Sequence, residues 1–208
     1  MQQRNFIIAG SIGALIAFVS LIIMAFLPRP FEAMDHFSIL SGLNILTKNQ
    51  LSDYRNYVAL NLTWDSLYLI GHIVMWSGYA AFFYRDSKYI SFIVLVLGFA
   101  SGWLDFTENE IRWAILEALT SGHYLPIEHI TEWQTTFGLS FYMLFICALL
   151  CGIAVVGKSY IRKVVFFISI VGLFIAPLSY QFSFLPAFLW IIGWHAISAL
   201  FLWKSRHV

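Results

Sequence analysis

The chain has 208 residues, of which 60% are hydrophobic, 18% aromatic and 11% charged, with a net charge of +1. A soluble domain carries about 25% charged residues and cannot leave that much apolar surface in water without aggregating, so the composition excludes one and points to lipid as the solvent. A charge so close to zero supplies no field for polyanions, and no nucleic-acid partner is expected.

Residues 6–27 form an apolar run behind Arg4. It is longer than the core of a cleaved signal and matches a bilayer span, so it reads as a retained first helix stopped by Pro28 and Pro30. A long outer segment, 28–56, follows, with PRPFEAMDHF and the amphipathic stretch SILSGLNIL. The second helix covers about 57–83, and Ser52 before Asp53 offers an earlier N-cap. The third covers about 89–119, which is too long for the bilayer alone, so its second half should rise out of the membrane. TSGHYLP connects it tightly to a fourth helix over about 127–156, with Pro126 near the first turn. Cys147 and Cys151 share one face of that helix and read as small packing residues rather than a disulfide framework. The fifth helix covers about 161–180, with Pro177 as a late kink, and the sixth about 185–203. No internal repeat or low-complexity tract interrupts the series, and no paired broken helices suggest an inverted repeat.

Charge orients these spans. Arg4, Arg85, Lys88, Lys158, Arg162, Lys163, Lys204 and Arg206 fall in two short loops and two tails on one side. Arg29, Lys48, Arg55 and Arg112 are scattered through longer segments on the other. The expected fold is thus an all-α integral membrane bundle of six transmembrane helices in one domain, 1–208, with both termini cytoplasmic. The character of the chain is that of a bacterial cytoplasmic (inner) membrane protein.

Ionisable side chains in hydrocarbon cost about 2.5–3.5 kcal/mol each on insertion scales, so their placement is informative. Asn61, Asp65, Tyr68 and His72 recur on one face of the second helix, and Asp105, Glu108, Asn109 and Arg112 on one face of the third. Gly98 and Gly102 share that second stripe and permit close helix contact, so it should face a neighbour. With a rise of about 1.5 Å per residue, Asp65 and Glu108 lie about 27–29 Å from the cytoplasmic ends, Asp105 about 24 Å and His72 about 16 Å. Glu128, His129 and Glu132 open the fourth helix just above. The sequence therefore predicts an outward-facing acidic pocket between the second, third and fourth helices, floored by His72. His195, about 12 Å from the cytoplasmic end and flanked by Trp190 and Trp194, is not expected to reach the carboxylates.

Two explanations compete for this stripe. Asp105 and Glu108 can serve as packing glue, paired with Arg112. Alternatively Asp65, Asp105 and Glu108 form a catalytic set, since three carboxylates at one level exceed what one arginine neutralises and leave a protonatable group. Asn61, Trp64, Tyr68, His72, Asn109, Arg112 and Glu132 would then bind substrate. No metal is predicted: the ligand types are present, but no His-x-x-x-His or Glu-x-x-His pair lies on any helix. His72 and His195 each read more simply as hydrogen-bonded core histidines. Asn61-Leu62-Thr63 matches a glycosylation acceptor but lies too close to the membrane.

The segments NLTWDSLY, containing Asp65, and LDFTEN, containing Asp105, Glu108 and Asn109, resemble a group of short bacterial polytopic membrane proteins with an Asp-x-x-Glu-Asn motif in the third helix. That resemblance covers about residues 6–156 and implies no particular activity. A weaker similarity, to membrane hydrolases related to alkaline ceramidases, rests on His72 and Asp105. It fails at the sixth helix, where Ala199 stands in place of the second histidine of a pair following His195.

Three functional classes follow. The pocket binds or transforms a lipid or isoprenoid-like molecule by acid–base chemistry, with the bilayer and an apolar small molecule as partners and no cofactor specified. Alternatively the chain is a proton-coupled transporter or small-molecule carrier, or an accessory subunit of a membrane complex.

Overall fold

The computed structural model of the chain describes residues 2–28, 48–121, 160–181 and 185–207, together with isolated helical positions between 136 and 150. Every element among them is helical: α1 (Gln2–Phe26), α2 (Lys48–Phe83), α3 (Lys88–Thr120), α4 (Tyr160–Gln181) and α5 (Leu185–Ser205). Four of these, α1, α2, α3 and α5, contain stretches long and apolar enough to cross a membrane. The faces they leave exposed are apolar too. Phe92, Val96, Phe99, Trp103 and Phe106 run along the outer face of α3, with Trp103 70% exposed. Lipid accommodates such a strip; water does not.

The boundaries of α1, α3, α4 and α5 fall within a few residues of the sequence expectation. α2 differs. It begins at Lys48, nine residues before the expected position 57 and four before the alternative N-cap at Ser52. The additional turns are polar, so apolar content alone hides them, yet Tyr54 among them is buried, as is Val58 just beyond. They run beside the far end of α3, where Arg55 meets Glu117 at 2.5 Å and lies 5.7 Å from the Trp113 ring centre. At about 1.5 Å per residue, α2 and α3 are each roughly 50 Å long, well beyond a hydrocarbon core of about 30 Å. They project together past one membrane face. α4 stays helical through Pro177. The predicted fourth helix, apart from the isolated helical positions, lies outside the described residues, as do 29–47 of the long outer segment.

Small residues bring α1 against α2. A Cβ on Gly10 would stand 2.5 Å from the Gly78 Cα, and one on Gly13 2.7 Å from the Gly71 carbonyl oxygen. Ala14 and Ala17 continue the stripe, fully buried. With no hydrophobic drive between helices in lipid, such close backbone approach supplies the attraction. α5 packs on α1 and α2: Ser11 Oγ donates to the Ala199 carbonyl at 2.8 Å, and Tyr79 OH to Ser198 Oγ at 3.0 Å. Tyr79 also stacks on Trp194 and Phe201, with ring centres 6.2 and 5.7 Å apart. α4 leans on α5 where Gly172 makes room for Trp190, whose indole donates to the Ile168 carbonyl at 2.8 Å.

One end of the bundle gathers the basic residues. α2 turns into α3 over four residues, with Ser87 Oγ accepting from the Ile90 amide at 3.3 Å as an N-cap. Beside that turn Gln3 donates to the Ala81 carbonyl, Arg162 sits over Phe82, and Phe82 packs on Phe201 near the end of α5. Arg4, Arg85, Lys88, Arg162, Lys163, Lys204 and Arg206 therefore share this end.

Candidate functional site

Gly98 and Gly102 set the distance between α2 and α3. A Cβ on Gly98 would strike the Trp76 side chain, and one on Gly102 would approach Ile73 to 2.8 Å. This contact turns the polar face of α3 onto that of α2. Asn109 Nδ2 donates a short hydrogen bond to the Asp65 carboxylate. Asp105 lies within electrostatic reach of Asp65, Glu108 and Arg112, and Arg112 also acts on Asp65. Glu108 and Asn109 are buried, at 5% and 8% exposure, while Asp65, Asp105 and Arg112 are half-buried. Asn109 Oδ1, buried, has no hydrogen-bond partner among the described residues. The three carboxylates named from the sequence thus occupy one neighbourhood in the half of the bundle away from the basic end, with Arg112 as a cation acting on it.

One turn deeper, Tyr68 connects this cluster to a second polar group. It is buried, and both Asp105 and Asp65 act on it. Its ring centre is 5.5 Å from that of His72 and 5.3 Å from that of His195. The two histidines, 123 positions apart, meet: His72 Nδ1 and His195 Nε2 are 3.1 Å apart. His72 Nε2 accepts from the Trp76 indole at 2.8 Å and lies 3.2 Å from Ser101 Oγ. His195 Nδ1 is 2.8 Å from the Ile191 carbonyl. His72, Trp76, Ser101 and His195 are all buried. Nearby, the Trp194 indole nitrogen is buried without a partner among the described residues.

His72 and His195 are hydrogen-bonded core histidines, as expected, and they are bonded to each other. His72 belongs to an interhelical pair beneath the carboxylates, with Tyr68 between. His195 meets His72 and Tyr68 rather than an acidic group. The depths of about 16 and 12 Å were the available signal, since they place both rings at nearly one height. Ser101 and Trp76, which complete this group, had no mark beyond their helical spacing. Asn61 and Trp64 lie on α2 at or just beyond the level of Asp65, half-buried. Glu132, with Glu128 and His129, lies outside the described residues, and so does any wall contributed by the start of the fourth helix. Among the described residues no group of three or more His, Cys, Asp or Glu side chains is arranged to hold a metal ion.

The cluster has the parts for proton transfer: several carboxylates in a poorly solvated place, an amide bonded to one of them, and a phenol between them and a histidine pair. No protein-family model matches the chain, and neither a curated protein nor a solved structure matches it.

Proposed function

We propose that the chain is a six-span protein of a bacterial cytoplasmic membrane, related to the short polytopic proteins its Asp-x-x-Glu-Asn motif resembles. Both termini lie in the cytoplasm, and an outward-facing pocket binds or transforms a lipid or isoprenoid-like molecule. The gathering of basic residues at the end where α2 turns into α3 supports the orientation. The pocket reading is carried by one observation: Asp65, Asp105 and Glu108 share a neighbourhood on which Arg112 acts. Packing glue alone requires charge balance, whereas three acidic groups leave a proton to give and a site to receive it. Asp105 and Glu108 serve as proton donor and acceptor, Asp65 is held by Asn109, and Tyr68 closes the inner side. Trp64, next to Asp65 in the chain, and Trp113, five residues beyond Glu108, are half-buried and suit an amphipathic ligand whose polar end meets the carboxylates.

The test is native mass spectrometry of protein extracted gently from its own membranes, with the released molecules identified. The wild type should retain an amphiphile, and Asp65→Asn and Asp105→Asn, both near in shape, should fold and lose it. A wild type carrying no specific molecule, or variants that retain it equally, contradicts the reading.

A proton-coupled carrier is the second reading. It requires the polar groups that lie below the carboxylates, Tyr68, His72 and His195, to pass a proton inward. Flux across liposomes under a pH gradient separates the two.

A further inference from the structure

An indole N–H only donates, and a backbone carbonyl only accepts. Trp76 therefore makes His72 Nε2 an acceptor, at 2.8 Å. The Ile191 carbonyl makes His195 Nδ1 a donor, also at 2.8 Å. A neutral imidazole carries one N–H. His72 must then hold its hydrogen on Nδ1, and His195 must leave Nε2 bare. Those are the two atoms that face each other at 3.1 Å. The two ends of the chain, on different helices, independently require the same donor direction in the middle. All four ring nitrogens are satisfied, and Ser101 at 3.2 Å is a second, weaker donor to the lone pair Trp76 already uses.

We propose that the His72–His195 pair is the proton-tight floor of the carboxylate pocket, so that the pocket exchanges protons with the outer side alone. The circuit begins at an indole that does not give up its proton and ends at a carbonyl that cannot pass one on. A proton brought to His72 by Ser101 displaces the Trp76 bond. Passed to His195, it stops at Ile191. The groups bonded to the pair or stacked on it are Tyr68 and Trp76 on α2, Ser101 on α3 and the Ile191 carbonyl on α5. Among the described residues the charged groups Asp65 and Asp105 lie beyond Tyr68. The proposal rests on the outward-facing pocket only for what lies above the floor; the tautomers stand by themselves.

Nitrogen-15 NMR of histidine side chains in lipid nanodiscs tests it on the wild-type chain. His195 is identified by its preceding Trp194, and His72 by its preceding Gly71 in a His123→Gln background. Both should show a protonated Nδ1 and a bare Nε2, the tautomer that free histidine disfavours, and both should keep it from pH 7 to about pH 5, where ordinary histidines become charged. In liposomes, proton flux driven by a potassium diffusion potential should not exceed that of empty vesicles. An Nε2–H tautomer or an imidazolium at either residue overturns the proposal, as does flux above the empty vesicles. Failure of the pocket reading looks different: no retained amphiphile, with the tautomers unchanged.

Discussion

The Asp65–Asn109 hydrogen bond is a direct side-chain link between the polar faces of α2 and α3 within the acidic cluster. A carboxylate in this setting depends on its donor, because removing one partner of a buried bond leaves the other desolvated at a cost of about 1–3 kcal/mol. Asn109→Leu should therefore destabilise the folded protein by about 2 kcal/mol, read as a lower thermal midpoint in detergent. In an Asp65→Leu background the same change should cost little, and the difference between the two is the coupling. Equal costs in both backgrounds would mean that the bond holds nothing together. At this scale the sequence was informative about identity and uninformative about partnership. The four-three-four spacing of Asn61, Asp65, Tyr68 and His72 marks a face, but no local spacing pairs His72 with His195 across 123 positions. The pair needed the depth arithmetic carried across helices, together with the knowledge that α5 packs on α2.

Among elements, the α1–α2 crossing has the least room. Gly10 and Gly78 stand backbone to backbone, so a side chain at either must push the helices apart rather than turn aside. Gly78→Leu should cost at least about 1–3 kcal/mol from overpacking and separate α1 from the bundle, read as protease sensitivity of α1 and a lower thermal midpoint. Gly193, with open space around it, is the control: Gly193→Ala should be nearly silent. Four of the spans, α1, α2, α3 and α5, were legible because lipid demands long apolar helices and charged turns mark their ends. What escaped was the first turn of α2, ahead of the N-cap offered at Ser52. Residues 48–56 are polar, and their helix exists because Arg55 and the buried Tyr54 find α3 projecting alongside, a tertiary cause that no window of hydropathy contains.

For the whole molecule, the arrangement is two stories of polar chemistry inside an apolar bundle. The carboxylates lie near one face with Arg112, and the histidine pair closes the middle. Beyond it, toward the basic end, Tyr79, Trp194 and Phe201 fill the core. Such an order suits a site open on one side only. The acidic stripe was visible in the sequence because charge in hydrocarbon is costly and therefore rare. Of the floor only His72 was visible; its closure by His195 was not, because Trp76, Ser101 and Ile191 act through geometry rather than through type. The most direct measurement is accessibility from each face. Asp65→Cys and Asp105→Cys are made in a chain whose Cys147 and Cys151 are replaced by serine, with Asp86→Cys marking the opposite face. A small charged thiosulfonate reagent should modify the first two from the outside alone and Asp86→Cys from the inside alone. Modification of position 65 or 105 from the cytoplasmic side, or of only one of the two from the outside, would contradict a shared outward-facing pocket.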